Sequence, residues 1–277
     1  LQQPISYLRG EHTMSRYGLI EPLLDSPIDI SVTVVSKNRA MQLEALLRSM
    51  RRFALDLWPP TVIYTSSTSD YSRGYEILQA EYICNWIRQG PDFKKDILSA
   101  VDQNKLFACW FVDDDIFYRS LPDFKARLFE SGSGYAYAPR LGKNCTYCYN
   151  VDKPQLEGTL DFGSTLSLDG HIYWTKEILP RVKSISFTNP NELEHYLCIS
   201  SPDSAHEFKL LYEECNCLVG IPHNRVQDQF PNRTSGGVSA KELNDRFLAG
   251  ERIDLDAMNF SGVKGVHWPV KYEFKRS

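Results

Sequence analysis

Three adjacent carboxylates, Asp113-Asp114-Asp115, follow directly on the uncharged run from Leu106 to Val112. A short apolar run of that kind reads as a buried strand. A buried strand cannot solvate charge, so the acids must emerge where it leaves its sheet, and in open α/β sheets that end is where ligands bind. Clustered carboxylates raise one another's pKa unless a cation relieves them. A hard, oxygen-ligated ion such as Mg²⁺ or Mn²⁺ meets that need, because it takes one or two carboxylates and fills its shell from phosphate oxygens and water. The bland alternative is a solvated acidic turn after a core strand.

Other residues of the right chemistry are spread along the chain. The loop after the first strand carries Lys37, Asn38 and Arg39. It has neither G-x-G-x-x-G nor, anywhere in the chain, G-x-x-x-x-G-K-[ST], which argues against a nicotinamide dehydrogenase and a P-loop NTPase. Such a loop can still hold a nucleobase and ribose if the phosphates are left to an ion on the acids. Asp169 precedes Gly170 in a turn signal, and Glu192 and Glu194 open a late helix, where the helix dipole alone would account for two acids. Near the C-terminus, His223, Arg225 and Arg233 stand in a glycine-bearing stretch, and Lys264 and His267 in another. Arginine and lysine are the expected partners of a leaving phosphate.

These groups need a frame, and the pattern supplies one. Ile28 to Ser36 is β-branched and alternating, a strand. Leu43, Leu46, Leu47, Met50 and Phe53 recur at helical spacing. A strand at Thr61–Thr65 runs into the hydroxyl-rich loop containing Ser66. Helical stretches over about 73–88 and 91–103 precede the acid-bearing strand. Strand and helix alternating in this way predict a parallel sheet with right-handed crossovers. Beyond the acids the pattern predicts a helix from Leu121 to Phe129, a strand over 134–139, and a Tyr-rich loop over 139–160. A strand-turn-strand element over 159–171 follows, then helices at Thr175–Val182 and from Asn189 or Asn191. A short strand at Leu218–Pro222 leads to a helix opened by the capping box Ser239–Glu242.

The opening strand with Ser36-Lys37-Asn38-Arg39, the strand ending in Asp113–Asp115 and the later Leu193-Glu194 together resemble the GT-A glycosyltransferases, particularly the inverting family-2-like branch. That resemblance implies a Rossmann-like, mixed but mostly parallel sheet flanked by helices. It implies a lead-in over 1–27, a nucleotide-sugar-binding core over 28–200, and an extension over 201–277 closing over the active site. It also implies a metal-dependent transfer from a UDP- or GDP-type sugar donor to a glycan or other hydroxyl acceptor. Carried over, Asn38, Arg39 and Ser66 fall on the nucleotide side, with Asp113 near the ribose beside Asp114, and Asp115 on Mn²⁺ or Mg²⁺. A carboxylate chosen from Glu194, Asp169 and Glu192 becomes the base, Glu194 first because of its station after the acid strand. Arg225 and Lys264 face phosphate, and His267 completes the metal shell in competition with His223.

Composition narrows the alternatives. The 277 residues are 42% hydrophobic and 24% charged with a net charge of −4, which argues against nucleic acid or an anionic membrane as the main partner. No apolar run is long enough to span a bilayer. Seven cysteines, several in apolar runs, suggest free thiols in a reducing compartment and so a cytoplasmic chain. The pairs Cys145/Cys148 and Cys215/Cys217 offer an alternative four-thiolate zinc site. Two other functions compete: a nucleotidyltransferase, which usually carries a glycine-rich basic loop after the first strand, and a catalytically silent nucleotide- or glycan-binding module.

Overall fold

The computed structural model describes residues 29–199, 208–227, 229 and 231–276, so the expected lead-in over 1–27 lies outside the described residues. In chain order the elements are β1 (Ile30–Lys37), α1 (Ala40–Phe53), β2 (Thr61–Thr65), α2 (Ser69–Glu81), β3 (Asn85–Arg88), α3 (Phe93–Ala100), β4 (Phe107–Val112), β5 (Asp115–Phe117) and α4 (Phe124–Ser131). There follow β6 (Tyr135–Gly142), β7 (Tyr147–Cys148), β8 (Lys153–Pro154), β9 (Ile172–Trp174), α5 (Thr175–Ser184), α6 (Pro190–Ile199), β10 (Lys209–Glu213), β11 (Leu218–Gly220), α7 (Ala240–Leu248), β12 (Glu251–Ile253) and β13 (Phe274–Arg276). No described helix is long and apolar enough to cross a membrane.

Seven strands make the central sheet in the order β10-β6-β9-β4-β1-β2-β3. All neighbours are parallel except at β9, which runs against both β4 and β6. This is the mostly parallel mixed sheet flanked by helices that the sequence predicts. Helices cover both faces, so the central strands are buried on both sides and lack a polar face. In β4, Phe107, Cys109 and Phe111 pack in the layer formed with α1, α2 and α7, while Ala108 and Trp110 pack in the layer with α3, α5 and α6. The chain moves from β1 outward through β2 and β3, then returns to lay β4 on the other side of β1. That reversal opens a crevice at the carboxyl ends of β1 and β4.

Two segments depart from the pattern-based reading. Residues Asn85–Arg88, expected to continue a helix, form the edge strand β3 paired with β2. The helix α2 ends earlier, at Glu81, and Trp86 and Ile87 are only half-buried, as suits a short edge strand. The expected strand-turn-strand over 159–171 is a 3₁₀ turn at Leu160–Gly163 followed by an irregular run into β9. Tertiary contacts override the turn signal at Asp169-Gly170: the Asp169 carboxylate is taken by Arg140, and the Gly170 amide donates to the Trp110 carbonyl at 2.7 Å.

The last third is woven into the core. The strand β10 extends the central sheet beside β6, and β11 pairs antiparallel with β5, which begins at the last acid of the triplet.

Gly170 is one of the tight points of this weave. Its φ is +82°, and a Cβ there would stand 2.5 Å from Leu218 Cδ2 and 2.8 Å from Phe111 Cε1. Gly170→Ala combines a left-handed backbone with overpacking, so urea unfolding should show a loss of about 2–4 kcal/mol.

Candidate active site

At the switch between β1 and β4 lies a cavity of about 750 Å³, within the range of small-molecule sites. Asp113, Asp114, Arg39, Asp169, Glu194, Arg225 and His267 all line it. Asp115 lies beneath, at the start of β5 and 1% exposed.

The nucleotide-side loop is built around Asp113. Its carboxylate accepts from Ser36 Oγ at 2.8 Å, from the Lys37 amide at 3.0 Å and from Arg39 Nη1 at 2.9 Å. The same Nη1 lies 3.1 Å from Asp114. Arg39 continues outward, with Nε donating to Asn224 Oδ1 at 2.8 Å and Nη2 to the Asn224 carbonyl. One guanidinium thus joins the acid turn to the loop after β11. Burial opposes the charge on Arg39, but Asp114 and Asp113 hold it protonated well above the ordinary range. Burial pushes Asp113 up against the pull of Arg39.

Asn38, with φ +58°, exchanges hydrogen bonds with Ser67: its Nδ2 donates to Ser67 Oγ at 2.9 Å and its Oδ1 accepts from the Ser67 amide at 2.8 Å. Ser66 Oγ pairs with Ser72 Oγ at 2.7 Å. Neither Asn38 nor Ser66 lines the cavity: Asn38 ties the β1 loop to the β2 loop, and Ser66 ties the β2 loop to α2. The bend itself needs the left-handed residue, and asparagine tolerates that backbone better than most.

The other half of the site depends on register. Asp115 on β5 faces Gly220 on β11, and Gly220 forms a parallel bridge with His267. Residues opposite one another on neighbouring strands project to the same side. Because the middle residue has no side chain, the flanking ones close on the gap. A Cβ at Gly220 would stand 2.8 Å from His267 Cδ2, 3.4 Å from its Nε2 and 3.5 Å from Asp115 Oδ1. His267 Nε2 also lies 3.4 Å from Asp169 Oδ2, and Arg140 Nη1 donates to the same carboxylate.

The charges differ sharply in compensation. Burial lifts Asp115 well above the ordinary carboxylate range, with Asp169 and Asp114 adding to it; the hydrogen bond from the Val112 amide, at 3.3 Å, only partly opposes the rise. Burial also disfavours charge on Asp169, yet Arg140 and His267 outweigh it and hold that carboxyl well below its usual range. His267 is raised by Asp169 against the effect of burial. Glu194 is raised by burial first and by Asp169 next, although Ser167 Oγ at 2.7 Å and the Leu168 amide at 3.2 Å both donate to it.

Several sequence candidates sit elsewhere. Glu192 does not line the cavity: its carboxylate accepts from the amide and hydroxyl of Thr188, both at 2.8 Å, while Asn189 Oδ1 caps the Glu192 amide at 3.0 Å. It is a helix cap, and those bonds lower its pKa. Lys264 is exposed off the cavity, and its carbonyl accepts from the Tyr147 amide. Both ring nitrogens of His223 are engaged, Nε2 with the Val270 carbonyl and Nδ1 with Ser235 Oγ, each at 2.8 Å, and its ring packs on Tyr272. His223 therefore braces the C-terminal segment. The thiols of Cys145, Cys148 and Cys217 point to separate acceptors, the Arg140 carbonyl, Asp161 and the Pro139 carbonyl, so no four-thiolate site is built. Among the described residues no three His, Cys, Asp or Glu side chains form a ready metal cage. Arg140, Asp161, Asn224 and Gly220 are members of the site that the sequence reading did not single out.

No protein-family model matches the sequence, and neither does any curated protein. Among solved structures, a cytidylyltransferase from Leptospira borgpetersenii serovar Hardjo-bovis aligns at 16% identity over 67% of this chain and 75% of its own, with a TM-score of 0.40. TarS 1–349 from S. aureus, solved in complex with UDP, aligns at 13% identity over 66% of this chain and 60% of its own, with a TM-score of 0.42. This chain spans 29% of the length of another TarS structure. The 4-diphosphocytidyl-2C-methyl-D-erythritol synthase of Anaerococcus prevotii DSM 20548 aligns at 11% identity over 70% and 93%, with a TM-score of 0.41.

Arg39 is the one cation in contact with both Asp113 and Asp114 among the described residues. Breaking a buried ion pair leaves an uncompensated charge, so Arg39→Met should lower stability by about 3–5 kcal/mol in urea unfolding. Adding Asp113→Asn to that variant should recover part of the loss.

Proposed function

We propose that this chain is a glycosyltransferase that takes a sugar from a nucleoside-diphosphate donor, with inversion, and uses a divalent ion. The observation that carries the reading is the approach of Asp115 and His267 across side-chain-free Gly220, at the cavity that His267 and Glu194 both line and at the carboxyl ends of β1 and β4. A buried carboxylate with no cation in direct contact is costly unless something positive joins it. Gly220 lets Asp115 and His267 approach with no side chain between them, and a carboxylate oxygen with an imidazole nitrogen suits Mn²⁺, or Mg²⁺ with more water. Two protein donors are enough for an ion whose remaining ligands are diphosphate oxygens and water, so a closed protein cage is not required. Asp115 and His267 would hold it, and its chemistry would be to balance charge growing on the departing diphosphate.

The chain's own groups account for the rest of an inverting displacement. Asp113 and Arg39 fix the loop on the nucleotide side, and Arg225 and Arg233 line the cavity where a leaving phosphate gathers charge. The base must remove the acceptor's hydroxyl proton as its oxygen attacks the anomeric carbon. Asp169 is a poor base because Arg140 and His267 stabilise its ionised form. Glu194 is the better one: its raised pKa brings proton affinity nearer to working pH. Ser167 and Leu168 hold one of its oxygens, which fixes the side chain in the cavity wall.

A panel of UDP- and GDP-sugars with Mn²⁺ tests the reading. Release of nucleoside diphosphate, slowly without acceptor, supports it. Release of pyrophosphate from a nucleoside triphosphate would instead identify a nucleotidyltransferase, and metal-independent binding without turnover would identify a silent module. Glu194→Gln should lower kcat by about 10²–10⁴-fold while leaving donor affinity intact. The acidic limb of the wild-type rate profile should lie above the ordinary carboxylate range, because activity requires the ionised base. NMR of the product should show inverted anomeric configuration.

Asp115→Ala and His267→Ala should each weaken Mn²⁺-dependent nucleotide binding by at least about 10-fold, the range expected on loss of a ligand or its direct support. His223→Ala should instead lower the melting temperature and leave Mn²⁺ dependence in place. Calorimetric titration with and without EDTA separates the two histidines.

A further inference from the structure

Three neighbouring parallel strands end in one polar row. Lys37, at the end of β1, is the register partner of Thr65 at the end of β2. Tyr64 is likewise the partner of Arg88, so Gln89 falls beside Thr65, one residue beyond β3. Backbone hydrogen bonds continue past the strand ends and fix the row: the Asn38 amide donates to the Thr65 carbonyl at 3.2 Å, and the Gln89 amide to the Tyr64 carbonyl at 2.8 Å. Residues in register on adjacent strands project to the same side of a sheet. All three line the cavity, Lys37 exposed and Thr65 and Gln89 half-buried. On the same side of β1, two residues before Lys37, Val35 stands opposite Val112 of β4, and both valines line the cavity as well.

The acid end of the cavity has its cations committed, Arg39 to Asp113 and Asp114, and Arg140 to Asp169. The row is different. Among the described residues, the Lys37 ammonium, the Thr65 hydroxyl and the Gln89 side-chain amide make no hydrogen bond or ion pair, and only the backbones of these residues are engaged. An ammonium only donates, a hydroxyl donates or accepts, and an amide carries one group of each kind. Adjacent strands lie about 4.8 Å apart, so three such groups fall within about 10 Å, the scale of one heterocyclic base. The valines suit the face of a ring, which a phosphate does not have.

On the proposed transferase reading, we infer that Lys37, Thr65 and Gln89 read the nucleobase of the donor and select one with a ring N–H beside a carbonyl, as in uracil and guanine. Gln89 Oε1 accepts from the ring N–H, and Lys37 donates to the carbonyl. Cytosine and adenine present an acceptor nitrogen beside an amino group at the corresponding edge, so Lys37 would meet another donor there. A site that hydrogen-bonds one edge rejects the mismatched edge because its own polar groups are then left unpaired. The reading groups are thus the neighbours of Asn38 and Ser66, which do not line the cavity, and they are separate from the Asp115–His267 pair and from Glu194.

Calorimetry of the full chain in Mn²⁺ with UDP, CDP, GDP and ADP tests this, because each pair keeps ring size and exchanges a carbonyl for an amino group. Within the ring size that it binds, wild type should prefer the keto base, UDP over CDP or GDP over ADP, by about 10- to 100-fold, as expected for a hydrogen bond from a charged group. Lys37→Met should bring that ratio within about three-fold of unity. Gln89→Ala should weaken the keto nucleotide by about 2- to 10-fold and the amino nucleotide by less. Gln89→Glu, which can only accept, should shift the ratio toward the amino base. A structural role would lower all affinities together, so the ratio decides, and melting temperatures confirm that each variant folds. A wild type that prefers the amino base or binds both alike overturns the inference, as does a preference that survives both Lys37→Met and Gln89→Ala. If wild type binds none of the four nucleotides, the transferase reading falls and this inference with it. Wild-type binding with indifferent variants removes only the base-reading row.

Discussion

Buried negative charge is the constraint on which this structure turns. Asp113, Asp114, Asp115, Asp169 and Glu194 gather at the ends of two core strands, where repulsion and desolvation both favour protonation or unfolding. Two arginines answer most of it. Arg39 reaches Asp113 and Asp114 from the loop after β1, and Arg140 reaches Asp169 from β6. Each comes from a strand on a different side of β4, so the sheet itself delivers the counter-charges. Asp115 is the exception. Its buried carboxylate has a backbone amide and no arginine in contact, which makes it the place where a further positive charge is most stabilising.

The same constraint explains why the C-terminal segment belongs to the core. Asn224 takes the outer end of the Arg39 guanidinium, and His267 lies against both Gly220 and Asp169. The strand β11 holds register with β5, so the position of His267 relative to Asp115 is fixed by backbone pairing and not by a flexible tail. His223, with both nitrogens occupied, and Tyr272 clamp the segment that carries His267 onto this ribbon.

What could be seen in the sequence follows from how local each signal is. The strands β1 and β4 are long runs of β-branched or apolar residues, and their ends mark the acids and the Lys37–Arg39 loop. The helix α7 announces itself through Ser239 and Glu242, and the Ser239 hydroxyl does cap the Glu242 amide. The cap at Glu192 was equally local, yet its acid competed with Glu194 for a catalytic role, and only the fold separates a carboxylate turned back on Thr188 from one facing the cavity. The hairpin expected over 159–171 failed because Arg140, 29 residues away in sequence, captures Asp169. Arg140 and Asp161 carried no motif of their own. Gly220 was invisible for a different reason: its importance is a missing side chain between two strands, a property of register alone.

The division of charge also constrains what can enter the cavity. Arg39 is already committed to two carboxylates and Asn224, and Arg140 to Asp169, so neither is free to meet an incoming diphosphate without abandoning an acid. On the proposed reading, a diphosphate entering alone would meet Asp114 and Asp169 in the cavity wall, and like charges there oppose its binding. Arg225 and Arg233 line the cavity on the loop side, but Arg233 is tied to Asp152 and stacked on Tyr149. Loop arginines can therefore offset the outer phosphate, not the acids beneath it. On the proposed reading, the charge that makes a diphosphate tolerable at this depth would sit between Asp115 and the phosphate oxygens. Gly220, having no side chain, is what lets Asp115 and His267 approach each other there.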